Sequence, residues 1–132
     1  MALKITLKPH EKMIIGGAVV TNGSSKSEFL IDNNVTILRQ KDIMNEKDAN
    51  SPTRRIYFVI QLMYIDDKNL AQHHKNYWKL VQDVIEAAPS ALPVVENISN
   101  HILGGQYYQA LKLARNLIDY EEEIITRVQE FS

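Results

Sequence analysis

The most constraining feature of this chain is Ile56–Ile65, a run of ten residues in which Gln61 is the only polar side chain. Ser51 is a good helix N-cap, and Pro52 suits the first helical position, where its missing N–H costs nothing. A helix that is apolar on all sides is normally buried on all sides, and a run this short cannot span a bilayer. We therefore predict a central core helix over Pro52–Ile65.

Before this helix the sequence changes to short apolar runs of strand character. Leu3–Lys8 alternates strictly, which predicts a strand with Leu3, Ile5 and Leu7 facing inward. Lys4, Thr6 and Lys8 would face outward, so Lys4 and Lys8 could belong to one positive surface. Similar runs predict strands near residues 13–15, 18–20, 27–31 and 35–38. The pair Asn22-Gly23 predicts a hairpin, because both positions tolerate positive φ. Such short strands cannot bury themselves, so we expect them to pack on the helices or on a second copy.

After the core helix, apolar residues recur at helical spacing, which predicts three more helices near residues 69–87, 93–103 and 106–130. Gly104-Gly105 resembles a helix C-cap. One face of the last predicted helix carries Tyr107, Leu111, Ala114, Ile118, Ile125 and Val128. We predict one α+β domain over residues 1–132. A small antiparallel β-region of four or five strands (1–50) would pack on a bundle of about four helices (51–132).

Composition excludes several kinds of site. The chain has no cysteine, so disulfides, thiolate metal sites and Cys nucleophiles are excluded. His73 and His74 are adjacent and would point apart on a helix, and the run Glu121–Glu123 is typical of a solvated helix face. The N-terminus lacks the apolar segment of a signal peptide. We therefore expect neither an enzyme, nor a metal protein, nor a secreted one.

Charge is unevenly distributed along the chain. Residues 1–60 carry nine Lys/Arg against six Asp/Glu, and residues 61–132 carry six against ten. The first part is therefore the better candidate for binding a polyanion. We predict a basic rim that contacts RNA phosphates, formed by Lys4, Arg39, Lys41, Arg54 and Arg55.

Two alternatives to the basic rim stay open. These cations could be an ordinary solvated surface, since Phe29 is the only aromatic residue before Tyr57 and a base-stacking platform is therefore not indicated. A structural role is the other alternative, in which Arg54 or Arg55 pairs with a nearby acid, namely Asp42, Glu46 or Asp48.

One known sequence pattern is spread over four segments, namely Leu3–Asn22, Leu38–Ile43, Ser51–Tyr64 and Gly105–Glu121. Together these segments resemble the FlbT family, flagellum biosynthesis regulators of alpha-proteobacteria. Ser51 stands where the family pattern has Thr, and both residues can cap a helix.

The resemblance implies a cytoplasmic post-transcriptional regulator without catalytic residues or cofactor. It would bind the 5′ untranslated region of flagellin mRNA and control its translation or lifetime, alongside the small flagellar protein FlaF. The alternative is a protein-interaction adaptor that acts on flagellin expression indirectly. From the small strand region we also expect a homodimer or higher oligomer.

Overall fold

The computed structural model of this chain describes residues 2–130, except for the side chains of residues 125, 126 and 128–130. The chain divides between Ile43 and Met44 into two compact units. We call them the strand unit and the helical unit and describe each by itself.

The strand unit contains five short strands in two antiparallel sheets. β1 and β4 form a two-stranded sheet, and β3, β2 and β5 form a three-stranded sheet with β2 in the middle. The predicted antiparallel β-region is thereby confirmed. The strands are β1 (Leu3–Leu7), β2 (Lys12–Ile15), β3 (Ala18–Thr21), β4 (Ser27–Ile31) and β5 (Ile37–Arg39).

The tight hairpin of the strand unit is formed by Gly16 and Gly17. Their φ angles are 55° and 87°, and they join β2 to β3, which pair antiparallel up to the turn. Two consecutive positive φ angles are what a two-residue hairpin turn requires, and glycine adopts them without strain. A Cβ atom at Gly16 would also lie 2.7 Å from Cγ2 of Val35, so this position has no room for a side chain.

The predicted hairpin at Asn22-Gly23 is wrong, because β3 and β4 belong to different sheets. Asn22 has another role. Its Nδ2 donates to the carbonyls of Leu7 at 3.2 Å, Lys8 at 2.8 Å and Ser25 at 3.0 Å. The side chain thus ties the end of β1 to the loop that precedes β4.

The core of the strand unit is built on Ile5, Leu7 and Met13, which are buried. Phe29 packs against this cluster from β4. Leu3, which the alternation placed inward, is 51% exposed, so that part of the prediction is wrong. It is the first residue of β1 and lies at the open end of the β1–β4 ladder, opposite Ile31.

The helical unit contains four α-helices, as predicted, and α1 has the predicted bounds. Ser51 Oγ accepts a hydrogen bond from Arg54 N at 3.3 Å, which caps α1 as the sequence indicated. α1 packs against α2 and α4, and α3 packs against α4. The helices are α1 (Pro52–Ile65), α2 (Leu70–Ala87), α3 (Leu92–Leu103) and α4 (Tyr107–Glu130).

Burial of α1 explains its apolar composition. Ile56 and Ile60 are completely buried, and Met63 is nearly so. The one polar residue of the run, Gln61, is also buried. Its Oε1 accepts from Met44 N at 2.8 Å and its Nε2 donates to Met44 O at 3.0 Å, so both amide groups are satisfied by backbone.

α3 ends in a Schellman motif. Gly105 has φ 73°, its N–H donates to Ile102 O at 3.0 Å, and Gln106 N donates to His101 O at 2.8 Å. The predicted C-cap is thereby confirmed. Ile125 and Val128, predicted on the apolar face of α4, have side chains outside the described part of the structure.

None of the helices in the described part of the chain is long and apolar enough to cross a membrane.

Candidate nucleic-acid interface

The five cations of the predicted basic rim fall in both units. Lys4, Arg39 and Lys41 belong to the strand unit, and Arg54 and Arg55 belong to the helical unit. Their own contacts separate them into cations used by the fold and cations left to solvent.

Arg39 is tied into the strand unit. Its Nη2 donates to the Thr6 carbonyl at 3.0 Å and lies 3.5 Å from a carboxylate oxygen of Glu11. Its Nε is buried and has no hydrogen-bond partner among the described residues. The first contact joins the last strand, β5, to the first, β1. Arg39 therefore contributes to the fold and is only partly available to a ligand.

Lys4 lies on the exposed side of β1. Its Nζ is 3.5 Å from Glu28 Oε2 across the β1–β4 ladder, and both side chains are more than half exposed. Exposed pairs of this kind contribute about 1 kcal/mol or less, so a phosphate could displace Glu28 at small cost.

Arg54 is held by the last helix. Its guanidinium nitrogens lie 3.3 Å from Glu121 Oε1 and 2.7 Å from Glu122 Oε1, and its side chain is only 28% exposed. Both acids belong to α4, against which α1 packs. The structural alternative therefore holds for Arg54 in that it pairs with acids, but these acids come from α4 and are not Asp42, Glu46 or Asp48.

This assignment predicts a measurable coupling between Arg54 and Glu121. Arg54→Ala and Glu121→Gln should each lower the free energy of unfolding, and the double variant should lose less than the sum, by about 1 kcal/mol. Urea unfolding followed by circular dichroism measures the cycle. Arg55→Ala is the matched control and should stay within about 0.5 kcal/mol of the parent. Simple additivity of the two replacements would mean that the ion pair does not stabilise the helical unit.

Arg55 and Lys41 are the two predicted cations that remain fully available to a ligand. Both are exposed, and neither has an ion pair among the described residues. Arg55 lines an open groove of about 520 Å³ between α1 and α2, together with Phe58, Lys79 and Asp83. Lys41 lies in the 3₁₀ turn Gln40–Asp42 that follows β5.

Sequence reasoning left out three further lysines of the strand unit, Lys8, Lys12 and Lys26. All three are exposed and have no ion pair among the described residues. The strict alternation of β1 placed Lys8 on the outward strand face, next to the predicted rim, but nothing in the sequence indicated that Lys12 and Lys26 lie near it.

Glu11 lies between Lys8 and Lys12 in the sequence, and its surroundings favour the ionised carboxylate. The backbone N–H of Lys8 donates to its Oε1 at 2.9 Å and lowers the pKa of Glu11; the Arg39 guanidinium acts in the same direction, and desolvation opposes both. A carboxylate with a lowered pKa stabilises the fold above the ordinary pKa near 4.5 and loses that contribution as the pH falls through the lowered value.

We therefore expect Glu11→Gln to reduce the melting temperature at neutral pH, where the carboxylate contributes fully. The difference between the variant and its parent should shrink once the pH drops below about 4.5, because the parent then loses the same contribution. Thermal melts at a series of pH values measure this. A difference that stays constant with pH would show that the charge of Glu11 does not stabilise the strand unit.

Together these contacts describe a small α+β protein with exposed cations and, within the described residues, no group of His, Asp and Glu that could hold a metal ion. The model of the family described as "Flagellar protein FlbT" matches residues 3–125, so the chain belongs to the FlbT family of flagellar proteins, and the resemblance found in the sequence is confirmed.

Curated relatives span nearly the same length. The probable flagellum biosynthesis repressor protein FlbT 1 of Bradyrhizobium diazoefficiens is 48% identical and aligns over 94% of this chain and 85% of its own length. A probable flagellum biosynthesis repressor protein FlbT of Rhodopseudomonas palustris is 42% identical over 96% and 100%. The flagellum biosynthesis repressor protein FlbT of Caulobacter vibrioides is 35% identical over 97% and 92%. No solved structure gives a significant match.

Proposed function

We propose that this chain is a cytoplasmic post-transcriptional regulator of flagellin expression. It binds the 5′ untranslated region of flagellin mRNA and controls translation or stability of the message. The names of its relatives, flagellum biosynthesis repressors, support a regulatory role in making the flagellum. The observation that carries RNA binding is the set of exposed cations on the strand unit that have no ion pair with any residue the structure describes, among them Lys41 of the predicted rim.

The charge of the two units supports the same proposal. Residues 1–43 carry six Lys/Arg against four Asp/Glu, and residues 44–132 carry nine against twelve. A single strand of RNA is a dense polyanion, so it is attracted to the first unit and repelled on average by the second. Phe29, the aromatic residue of the strand unit, packs on its core cluster. Contacts to phosphates rather than base stacking therefore supply the affinity.

A direct binding experiment tests the proposal. Purified protein is titrated into a labelled flagellin leader transcript in the absence of any other protein, at several salt concentrations. We expect saturable binding whose log affinity falls linearly with log salt, since each phosphate contact releases counterions. Absence of binding at low salt would overturn direct RNA recognition.

We also propose that the strand unit mediates a homodimer or a higher homo-oligomer. A two-stranded sheet is marginal alone, and β1 and β4 each have one edge that is unpaired within the strand unit. Leu3 and Leu30 of these strands are 51% and 61% exposed. Light scattering at tens of micromolar protein should give at least twice the monomer mass, and Leu30→Lys should shift it toward the monomer. A monomer mass for the parent would contradict this.

A protein-interaction adaptor is the second candidate, favoured by an apolar groove on the helical unit. The groove, of about 310 Å³, runs between α2 and α3 and is lined mainly by Trp78, Val81, Ile85, Leu92 and Val95. Trp78 and Leu92 are 38% and 40% exposed, so the groove presents a contiguous apolar surface to solvent. A small flagellar regulatory protein such as FlaF is the proposed partner. If leader RNA binds only when such a partner is added, the adaptor is the better description.

A further inference from the structure

We propose that four lysines at one end of the strand unit form the phosphate-binding site for single-stranded RNA. We call them the lysine end: Lys8, Lys12, Lys26 and Lys41. The inference rests on the proposed function and names the site through which it is carried out. Of the basic rim it keeps Lys41 and leaves out Arg39 and Arg54, because these two are held by the protein itself.

Strand register brings Lys8 and Lys26 together. β1 and β4 are antiparallel, and the last pair of their ladder is Leu7 with Ser27. Lys8 is the next residue after Leu7 and Lys26 is the one before Ser27, so the two flank the same end of the ladder. Residues opposite each other on antiparallel strands lie about 5 Å apart, which brings the two ammonium groups within reach of neighbouring phosphates.

Register also brings Lys12 and Lys41 to this end. β2 and β5 pair Met13 with Arg39, which places Lys12, the first residue of β2, at the level of Gln40. The backbone N–H of Lys12 donates to Oε1 of Gln40, and Lys41 follows directly in the chain. The two lysines therefore lie on neighbouring segments.

Asn22 connects the two pairs. Its Nδ2 donates to the carbonyl of Lys8, and Ser27 Oγ donates to its Oδ1 at 2.9 Å, while its own backbone N–H donates to Glu11 O. One side chain thus binds the end of β1 and the start of β4, and its backbone binds the segment just before Lys12. Such connections fix the backbone segments that carry Lys8 and Lys12 before RNA arrives, which reduces the entropy lost on binding.

Nearby acidic residues reduce the positive charge of the lysine end only in part. The negative charge of Glu11 is balanced by Arg39, and that of Glu28 by Lys4. Asp32 follows the opposite end of β4, and Asp42 is half-buried beside Lys41. Four exposed lysines therefore face solvent with little neutralisation. Lysine binds phosphate as a mobile point charge, without reading the base, so the site fits successive phosphates of a flexible single strand.

The test compares two variants with the same change in net charge. In the first, Lys8, Lys12, Lys26 and Lys41 are replaced by Gln. In the matched control, four exposed lysines of the helical unit are replaced by Gln, namely Lys47, Lys68, Lys75 and Lys112. The probes are a labelled flagellin leader transcript and a scrambled single-stranded RNA of equal length. Melting temperatures confirm that both variants fold.

The first variant should bind the leader about tenfold or more weakly at low salt, with a log–log salt slope smaller by up to about 2.8, since each phosphate contact to a single strand contributes about 0.7. Its affinity for the scrambled RNA should fall by a similar factor. The control should keep nearly the parental slope. As a variant without charge change, Asn22→Ala should also weaken binding while leaving the number of lysines unchanged.

The outcomes separate this inference from the proposed function. If the parent protein does not bind leader RNA, both are overturned. If the parent binds but the first variant keeps its affinity and slope, or loses no more than the control, the lysine end is not the site and the proposed function stands. If the variant with four replacements is unstable, two double variants are measured instead. One combines Lys8→Gln with Lys26→Gln, and the other combines Lys12→Gln with Lys41→Gln. Each is expected to reduce the log–log salt slope by about 1.4.

Discussion

Replacing Ile60 by Ala should lower the free energy of unfolding by about 2–5 kcal/mol, the range for removing a large aliphatic side chain from a packed core. Ile60 is completely buried in α1, which packs against both α2 and α4. Neither neighbouring helix can close the gap without losing its contacts to the rest of α1, so the cavity should persist.

Urea unfolding monitored by the helical circular dichroism signal measures this loss. Ile60→Val is the matched control, since it removes one methylene group and should cost about 0.5–1.5 kcal/mol. A similar loss for the two variants would mean that the helical unit is loosely packed around α1 and that α1 is not its centre.

Replacing Gln61 by Leu should lower the free energy of unfolding by about 1–3 kcal/mol, although it places an apolar side chain in an apolar environment. Gln61 is 3% exposed, and its amide accepts from Met44 N and donates to Met44 O. Leu leaves both backbone groups of the partly buried Met44 without their partners, and that desolvation cost exceeds the gain from a more apolar side chain.

Gln82→Leu serves as the control, because Gln82 is exposed on α2 and the chemical change is identical. It should stay within about 0.5 kcal/mol of the parent in the same urea titration. The Gln61 variant should also show faster amide hydrogen exchange at Met44 specifically, whereas a general loss of stability would speed exchange at many residues. Stability and exchange equal to those of the parent would contradict the inference that Gln61 holds the segment before α1.

The helices could be predicted from the sequence because their signals are local. Ser51 and Pro52 define the start of α1 within one turn, and Gly105 defines the end of α3 by its positive φ. Each of these devices acts between residues a few positions apart, so one stretch of sequence contains both partners. Family membership was also readable, since its motifs extend along nearly the whole chain.

Strand pairing and ion pairing could not be predicted in the same way. Asn22-Gly23 has the composition of a hairpin turn, yet Asn22 bonds to the end of β1 because β4 pairs with β1 and not with β3. Arg54 finds its acids in α4, far along the chain. The lysine end depends on two registers at once, so single-sequence reasoning reached Lys8 and Lys41 but missed Lys12 and Lys26.

The crossed order of the strands has a consequence for how the chain emerges during translation. The turn at Gly16-Gly17 lets β2 and β3 pair within a few residues, whereas β1 must wait for β4 and β2 must wait for β5. Contacts between distant segments form more slowly, because a long loop has to close before they can be made. A nascent chain from which β5 has not yet emerged would therefore lack the second neighbour of β2, and the strand unit would be completed only once β5 had left the ribosome.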